Sequence, residues 1–390
     1  MTSYIKREAK KNHAQFYTKD TLGDLLISLI PSNCDYKNII DLSAGEGALL
    51  EAAGKHFKES KTVAFDIDNN NISKILACTK HQSYSIDSTT YESQQLAQSI
   101  SKDYCLALGN PPFKSISNTK YITNLFKEFS IDIKTKTVRA EIVFILQSIK
   151  LLKKNGIIAF ILPDGILTNS KFKYVRELIS KKMCLLLTKE IPPASFTGTE
   201  ARTHILIIKK TDPIGTVKLY SFDSELPCIK ISSDQFCARG DYKYYCQPRP
   251  INTVELNDLC ILIKRGTSKS REVNSTIPII HTTHLKSSGL TLKNECQVTA
   301  EYKNLIAKEN DILLARVGTR VIGRFKVVSK GLFLVTDCVT IIRPKNIKCR
   351  DLIIKTLQSD VGRSWLHSAA KGVGALHLTV EEIKKIPIFV

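Results

Sequence analysis

Between about residues 39 and 210 the chain alternates short runs of β-branched and apolar residues with segments whose apolar positions recur at helical spacing. The runs Asn38 to Leu42, Thr62 to Asp66, Tyr104 to Leu108, Gly156 to Leu162 and His204 to Ile208 read as strands. Leu22 to Ile30, Ile72 to Lys80, Glu141 to Lys153 and Tyr174 to Lys182 read as helices. Strands separated in this way by helical stretches predict a parallel sheet covered on both faces by crossover helices. The expected class is α/β with a doubly wound sheet, and its ligand should lie beyond the carboxyl ends of the strands.

From about residue 212 the pattern changes. Asp212-Pro213, Leu226-Pro227 and Gln247-Pro248-Arg249-Pro250 interrupt it, and the runs that follow are short and lack long helices between them. A first domain over 1–225, a linker over 226–250 and a smaller α+β domain over 251–390 are expected. In the last, Ile277 to Ile280, Ile312 to Val317, Val321 to Val328 and Cys338 to Ile342 read as strands, and 351–370 and 379–385 as helices. A length of 390 residues suits two domains better than one core.

With 43% hydrophobic and 24% charged residues the chain is neither disordered nor fibrous. No apolar run reaches the roughly 18 residues of a membrane span, and Met1 to Lys11 is polar and basic, so a cytoplasmic protein with no membrane partner is expected. The 11 cysteines are scattered singly, with no C-x-x-C pair and no close Cys/His cluster, which reads as reduced thiols and no metal site. Charge changes the picture more. Lys and Arg number 57 against 37 Asp and Glu, a net charge of +20. Residues 241–390 carry 24 basic and 13 acidic side chains, against 33 and 24 in the longer 1–240. Such an excess favours polyanionic partners, above all for the C-terminal part.

Asp41-Leu42-Ser43-Ala44-Gly45-Glu46-Gly47 follows the first strand and opens a helix, so its glycines let the backbone turn tightly against a ligand. Leu50 stands where a third glycine of a dinucleotide fingerprint would fall. Asp41 and Glu46 would repel a pyrophosphate and favour a cationic small molecule. Asp66 ends the second strand, where a carboxylate can take ribose hydroxyls, and Asp87 falls where a third strand would end, within reach of an adenine amino group. Each aspartate taken singly serves equally well as a turn or helix cap. Their order along one α/β pattern describes a pocket for an adenosine bearing positive charge, and S-adenosylmethionine fits that description.

Leu108-Gly109-Asn110-Pro111-Pro112-Phe113 follows an apolar strand. Two successive prolines hold Asn110 extended and aim its side chain. An exocyclic base nitrogen is a poor nucleophile because its lone pair is delocalised. Acceptors on both of its hydrogens, the Asn110 amide oxygen and the Pro111 carbonyl, would draw it toward tetrahedral geometry for direct attack on a sulfonium methyl. Phe113 would stack on a base held out of its duplex.

On these residues the chain resembles the gamma class of DNA amino-methyltransferases that act on adenine N6. His13-Ala14-Gln15-Phe16-Tyr17-Thr18 is similar to the family's N-terminal cofactor motif, Asp41 to Gly47 to its glycine motif and Asn110 to Phe113 to its catalytic motif, in that class's order. The resemblance implies a Rossmann-like methyltransferase sheet, S-adenosylmethionine as cofactor, and duplex DNA as partner. A restriction-modification or related defence system is the implied setting, and whether a separate cognate endonuclease accompanies the chain is left open by the sequence. It also implies cofactor contacts from Tyr17, Thr18, Asp41, Ala44, Gly45, Gly47, Asp66, Ile67, Asp87 and Asn110, and catalytic roles for Asn110, Pro111, Pro112 and Phe113. Phe144 to Gly165 and Ile191 to Phe196 are similar to later family motifs, which would make Phe196 a second aromatic against the flipped base. Lys19, Leu42 and Phe113 depart from the family's usual proline, proline and tyrosine, and none removes a group the chemistry requires.

Asn-Pro-Pro-aromatic loops also serve RNA and protein-glutamine methylation, and a specificity protein that has lost turnover would keep the same cofactor fold. A thiolate mechanism is disfavoured because Pro227-Cys228, the one Pro-Cys pair, lies in the expected linker. His281 and His284 lack further ligands nearby in sequence. In the C-terminal part, Glu309 to Arg320 resembles the target recognition domains of type I restriction specificity subunits. Gly318 would permit a turn between two strands, and Arg316, Arg320 and Arg324 would project near one edge toward guanine or phosphate.

Overall fold

The computed structural model describes residues 20–32, 34–78, 80–192, 195–196, 202–247, 252–267, 277–286, 289–295, 306–372 and 375–390. Tyr17 and Thr18, expected to contact cofactor, lie outside the described residues. The chain forms two compact units, Met1–Tyr242 and Lys243–Val390.

The first unit contains β1 (Asn38–Asp41), β2 (Lys61–Asp66), β3 (Gln82–Ser85), β4 (Tyr104–Gly109), β5 (Ser115–Ser117), β6 (Thr137–Arg139), β7 (Leu152–Pro163), β8 (Cys184–Glu190), β9 (Thr203–Lys209), β10 (Thr216–Tyr220) and β11 (Ile229–Ser232). Nine of these make one sheet, in the order β11-β10-β8-β9-β7-β4-β1-β2-β3, and β5 and β6 form a separate hairpin. From β3 to β7 every neighbouring pair is parallel, with Asp41 opposite Ala64 and Leu108. This is the doubly wound α/β arrangement. On one face, the helices Asp20–Ser28 and Ala48–His56 contribute Leu22, Leu26, Leu49 and Leu50 to a cluster with Ile39, Leu106 and Ile157 of the strands. The helix Ala140–Leu151 is buried at every position except Lys150, which is how a helix apolar all round is accommodated.

Two expectations are corrected. The alternating pattern predicts β9 to run parallel, yet it is antiparallel to both β7 and β8. Ile205 to Ile208 are all buried, and a strand covered on both faces carries no periodicity that reports its direction. The segment expected as a linker instead contains β11, antiparallel to β10 at the sheet edge, and the helix Ser233–Ala238, both within the first unit. Only Ile231 of β11 is buried, so that strand leaves little hydrophobic trace. Ser232 caps the following helix with a reciprocal bond from Gln235.

The second unit is α+β. It comprises β12 (Thr253–Glu255), β13 (Cys260–Arg265), β14 (Ile279–Ile280), β15 (Thr291–Lys293), β16 (Ile306–Ala307), β17 (Ile312–Ala315), β18 (Phe325–Lys330), β19 (Phe333–Val335), β20 (Val339–Pro344) and β21 (Pro387–Phe389). Five form a sheet ordered β13-β20-β17-β18-β15, with smaller sheets β14-β19-β16 and β12-β21. The two-residue period divides β17. Ile312 and Leu314 pack with Ile353, Leu357 and Leu366 of the helices Ile347–Gln358 and Asp360–Ala369, while Leu313 and Ala315 pack with Ile280, Leu285 and Val335 on the opposite face. Val321 and Ile322, expected to begin a strand, lie instead in a turn bounded by Gly318 at φ 117° and Gly323 at φ 79°, and the strand starts at Phe325.

Arg316 is a further correction. Expected to project toward DNA, it is instead buried immediately after β17. Its Nε donates to the Leu378 carbonyl at 2.9 Å and its Nη1 to the Asp337 carbonyl at 2.9 Å, reinforcing the backbone bonds that tie Arg316 to Cys338 and Leu378. Arg320 and Arg324 are exposed. Arg316→Ala should lower unfolding free energy by about 1–3 kcal/mol, because one buried and one partly buried carbonyl lose a donor; an unchanged denaturation midpoint would contradict the structural role.

Candidate active site

Because β1 to β4 are adjacent and parallel, their carboxyl ends share one edge of the sheet. The loops leaving that edge line a cavity of about 290 Å³. Ser43 to Gly45 come from the loop after β1, Ile67 from the loop after β2, Asp87 and Ser88 from the loop after β3, and Asn110 to Pro112 from the loop after β4. The cavity lies near the lower end of the ~300–1,000 Å³ typical of small-ligand sites.

The loop after β1 is shaped by glycine. Gly45 and Gly47 adopt φ of 55° and 91°, where a side chain is disfavoured. A Cβ at Gly45 would meet nothing within 4 Å, so the backbone there faces open space, whereas one at Gly47 would lie 3.2 Å from Ile75 Cγ1. Gly47 therefore serves helix packing, and it does not line the cavity. The Gly45 N–H donates to Asp66 Oδ2 at 2.8 Å, and the Ala44 N–H to the Phe65 carbonyl at 2.9 Å, tying the turn to the end of β2.

Burial raises the carboxyl pKa of Asp41 to about 7, aided by the charge of Asp66 and opposed by the Ser43 N–H, which donates to Asp41 Oδ1 at 2.8 Å. Burial also raises that of Asp66, against N–H donors from Asp68 and Gly45 and the Asn71 amide. Asp87 is exposed and accepts from the Thr89 N–H at 2.8 Å. With Glu46 and Glu51, five carboxylates and one lysine, Lys114, line the cavity among the described residues, and Glu46 is also paired with Lys74 at 2.5 Å. Such a site in a chain of net charge +20 favours a cationic ligand.

Gly109 ends β4 under the ring of Phe160 on β7, which leaves no room for a Cβ, since one would sit 2.9 Å from Phe160 Cε1. Asn110 follows with its side-chain oxygen buried, and Pro111 is buried as well. The Lys114 N–H closes a tight turn on the Pro112 carbonyl at 2.9 Å, and the Ala140 N–H holds the Lys114 carbonyl at 2.9 Å. The helix Ala140–Leu151 thus anchors this loop, and its Ala140 and Phe144 also line the cavity. Gln147 on the same helix donates to the carbonyls of Ser88 and Thr90 at 3.3 and 3.4 Å, bracing the loop after β3. Arg139 and the buried Glu141 form an ion pair at the start of that helix.

Asp41, Ala44, Gly45, Asp66, Ile67, Asp87, Asn110, Pro111 and Pro112 are therefore brought together, with Ile67 offering a half-exposed apolar side chain. Phe113 is half-buried against the main core, and Phe196 is 3% exposed inside it, so neither lines the cavity in this structure. Lys114 and Ser88 are not marked by the sequence, and Phe144 and Gln147 are marked only as part of the segment Phe144 to Gly165, without a site role. Phe144 and Gln147 lie in an unbroken buried helix whose pattern marks no face, and Lys114 and Ser88 have only their adjacency to the two loops to signal them. Among the described residues no group of three or more His, Cys, Asp or Glu could hold a metal ion, and His281 and His284 instead cap a short turn, the His281 N–H donating to His284 Nδ1 at 2.9 Å. No helix among the described residues is long and apolar enough to cross a membrane.

Residues 1–235 match the N-6 DNA Methylase family, and residues 248–390 match the type I restriction modification DNA specificity domain. The type II methyltransferase M.CvrRI of Paramecium bursaria Chlorella virus XZ-6E is 24% identical over 238 residues, which cover 59% of this chain and 58% of that protein. The modification methylase CviBIII of Paramecium bursaria Chlorella virus NC1A is 23% identical over 235 residues, 57% of each. This chain thus spans somewhat over half the length of these relatives. The crystal structure of the type IIG restriction endonuclease BpuSI aligns over 98% of this chain and 60% of its own, with a TM-score of 0.54 and 12% identity, a likeness of fold.

Gly109→Ala should destabilise the protein by about 1–3 kcal/mol through overpacking against Phe160. A double-mutant cycle in chemical denaturation checks the cause: the cost should shrink in a Phe160→Leu background, and equal costs in both backgrounds would exclude the ring.

Proposed function

The chain belongs to the N-6 DNA methylase family, and on that premise we propose that it methylates N6 of adenine in duplex DNA with S-adenosylmethionine as cofactor, within a restriction-modification system. The observation that carries the reading is the single cavity shared by the Gly45 turn, Asp66, Asp87 and the Asn110-Pro111-Pro112 loop. Its excess of carboxylates, its open backbone at Gly45 and its apolar Ile67 suit a cationic adenosine compound. When bound, S-adenosylmethionine supplies an electrophilic methyl group on a positively charged sulfur.

The protein's own part is binding and alignment. The Asn110 side-chain oxygen and the Pro111 carbonyl accept the two hydrogens of the target amine and free its lone pair. Pro111, Pro112 and the Lys114-to-Pro112 turn keep these acceptors from relaxing, so little reorganisation is needed at the moment of reaction. Asp66 and Asp87 would hold the ribose and adenine parts of the cofactor through their carboxylates, and Asp41 would contribute negative charge toward its cationic part. The target base must leave its stack to reach the loop, and Phe113 and Phe196 are the aromatics proposed to receive it after a local rearrangement out of the core. The second unit supplies contacts to duplex DNA, with Arg320 and Arg324 among its exposed arginines.

Full-length protein incubated with labelled cofactor should methylate duplex DNA. Asn110→Ala should cut transfer at least ~100-fold while cofactor and duplex binding persist. Retained transfer in that variant would refute the acceptor role. A preference of the wild type for RNA or a glutamine-bearing protein, or duplex binding without any transfer, would overturn the proposed reaction.

A pH dependence follows from Asp41, whose carboxyl ionises at about 7 in the unliganded protein. A cationic ligand binds the ionised form, so affinity should weaken as pH falls below 7, by up to about tenfold per unit. Calorimetric titration between pH 7 and 5.5 checks this; Asp41→Asn should bind more weakly and with a shallower profile over that window, and an unchanged slope would contradict the role of Asp41.

A further inference from the structure

The second unit contains a cleft of about 380 Å³, walled by the turn that carries Arg320 and Arg324, by Lys286, and by Arg363 and His367 of the helix Asp360–Ala369. Among the described residues no Asp or Glu lines it, the reverse of the cavity in the first unit. Lys286, Arg320, Arg324 and Arg363 are all exposed and come from three separate stretches of chain, so their convergence on one opening is a product of the fold. Beneath them lies an apolar floor that includes Leu285, Ile322, Phe325 and Leu357. A floor of this kind lowers the local dielectric and lengthens the reach of the charges above it.

The hydrogen bonds around the cleft suit an anion. Arg324 Nη1 donates to the Lys286 carbonyl at 3.2 Å, which orients its guanidinium by one of five donors. Arg363 pairs with Asp360 at 2.8 Å, but the side chains are 59% and 95% exposed, so water screens the pair and a phosphate can compete for the guanidinium.

We propose that this cleft grips the sugar-phosphate backbone of duplex DNA, setting affinity and register, and leaves base reading to other parts of the unit. The proposal rests on the DNA reading above and deepens it. Phosphate is favoured over base edges because the cleft's charged groups are all cations on long, flexible, exposed stems. Base discrimination calls for paired donors and acceptors in fixed geometry, and Gln358 is the one amide side chain there. Along the sequence, nothing marks Arg363, Lys286 and His367 as a group with Arg320 and Arg324.

The test uses the full-length chain, a fluorescently labelled duplex of random sequence, and anisotropy titrations across a series of salt concentrations. The double variant Arg320→Ala/Arg363→Ala should bind at least tenfold more weakly at low salt. Its slope of log affinity against log salt should flatten by about 2, since each phosphate that is no longer neutralised removes ~0.9 from the slope. The control Lys345→Ala/Lys348→Ala removes the same charge outside the cleft and should leave the slope nearly unchanged. Selection from a random duplex pool should return the same preferred sequence for wild type and cleft variant, and melting temperature and cofactor affinity should match. An unchanged slope, or a changed preferred sequence, would overturn the proposal. If the wild type itself fails to bind duplex DNA, the DNA reading falls; if the wild type binds and the cleft variant binds equally well, only the cleft falls.

Discussion

The hydrogen bond from the Gly45 N–H to Asp66 Oδ2 is the constraint on which the candidate site depends. β1 and β2 are parallel neighbours, so the chain leaving β1 must double back at once to stay over the sheet edge. Left-handed backbone at Gly45 and Gly47 makes the turn, and the carboxylate at the end of β2 captures it. Burying Asp41 and Asp66 side by side costs free energy, which shows as raised carboxyl pKa values. Donors from Ser43, Asp68, Asn71 and Gly45 offset part of that cost.

From that corner the rest of the site follows by contact. β1 also pairs with β4, which carries Asn110 to the same edge, and the helix Ala140–Leu151 braces the loops after β3 and β4 through Gln147 and Ala140. The two units then differ in sign. Among the described lining residues, one holds a cavity with five carboxylates and one lysine, and the other a cleft with four Lys and Arg side chains and no Asp or Glu.

Much of the first unit is readable in the chain because its strands are long, apolar and separated by helical stretches, and because turn residues sit where those strands end. The glycine turn, the two aspartates and the Asn-Pro-Pro loop are found by that logic and converge on one cavity. The edge strand β11 escapes notice, since it buries too little to leave a hydrophobic run, and β3 is inferred only from the place of Asp87 along the α/β pattern. Phe196 and Phe113 are expected at the site, but an aromatic residue has the same sequence signature in a core as beside a ligand, and here both join the core cluster.

The sequence by itself determined the α/β class, the two-part organisation, the loop chemistry at the strand ends and the excess of positive charge in the C-terminal part. These are local or additive properties that survive without knowledge of neighbours. Tertiary structure alone decided the direction of β9, the retention of residues 229–238 in the first unit, and the fate of each arginine. Arg316 ties two carbonyls inside the second unit while Arg320 faces a cleft, four residues away. Guanidinium groups at such spacing are equivalent along the chain; what separates them is which buried carbonyls the fold leaves in need of a donor.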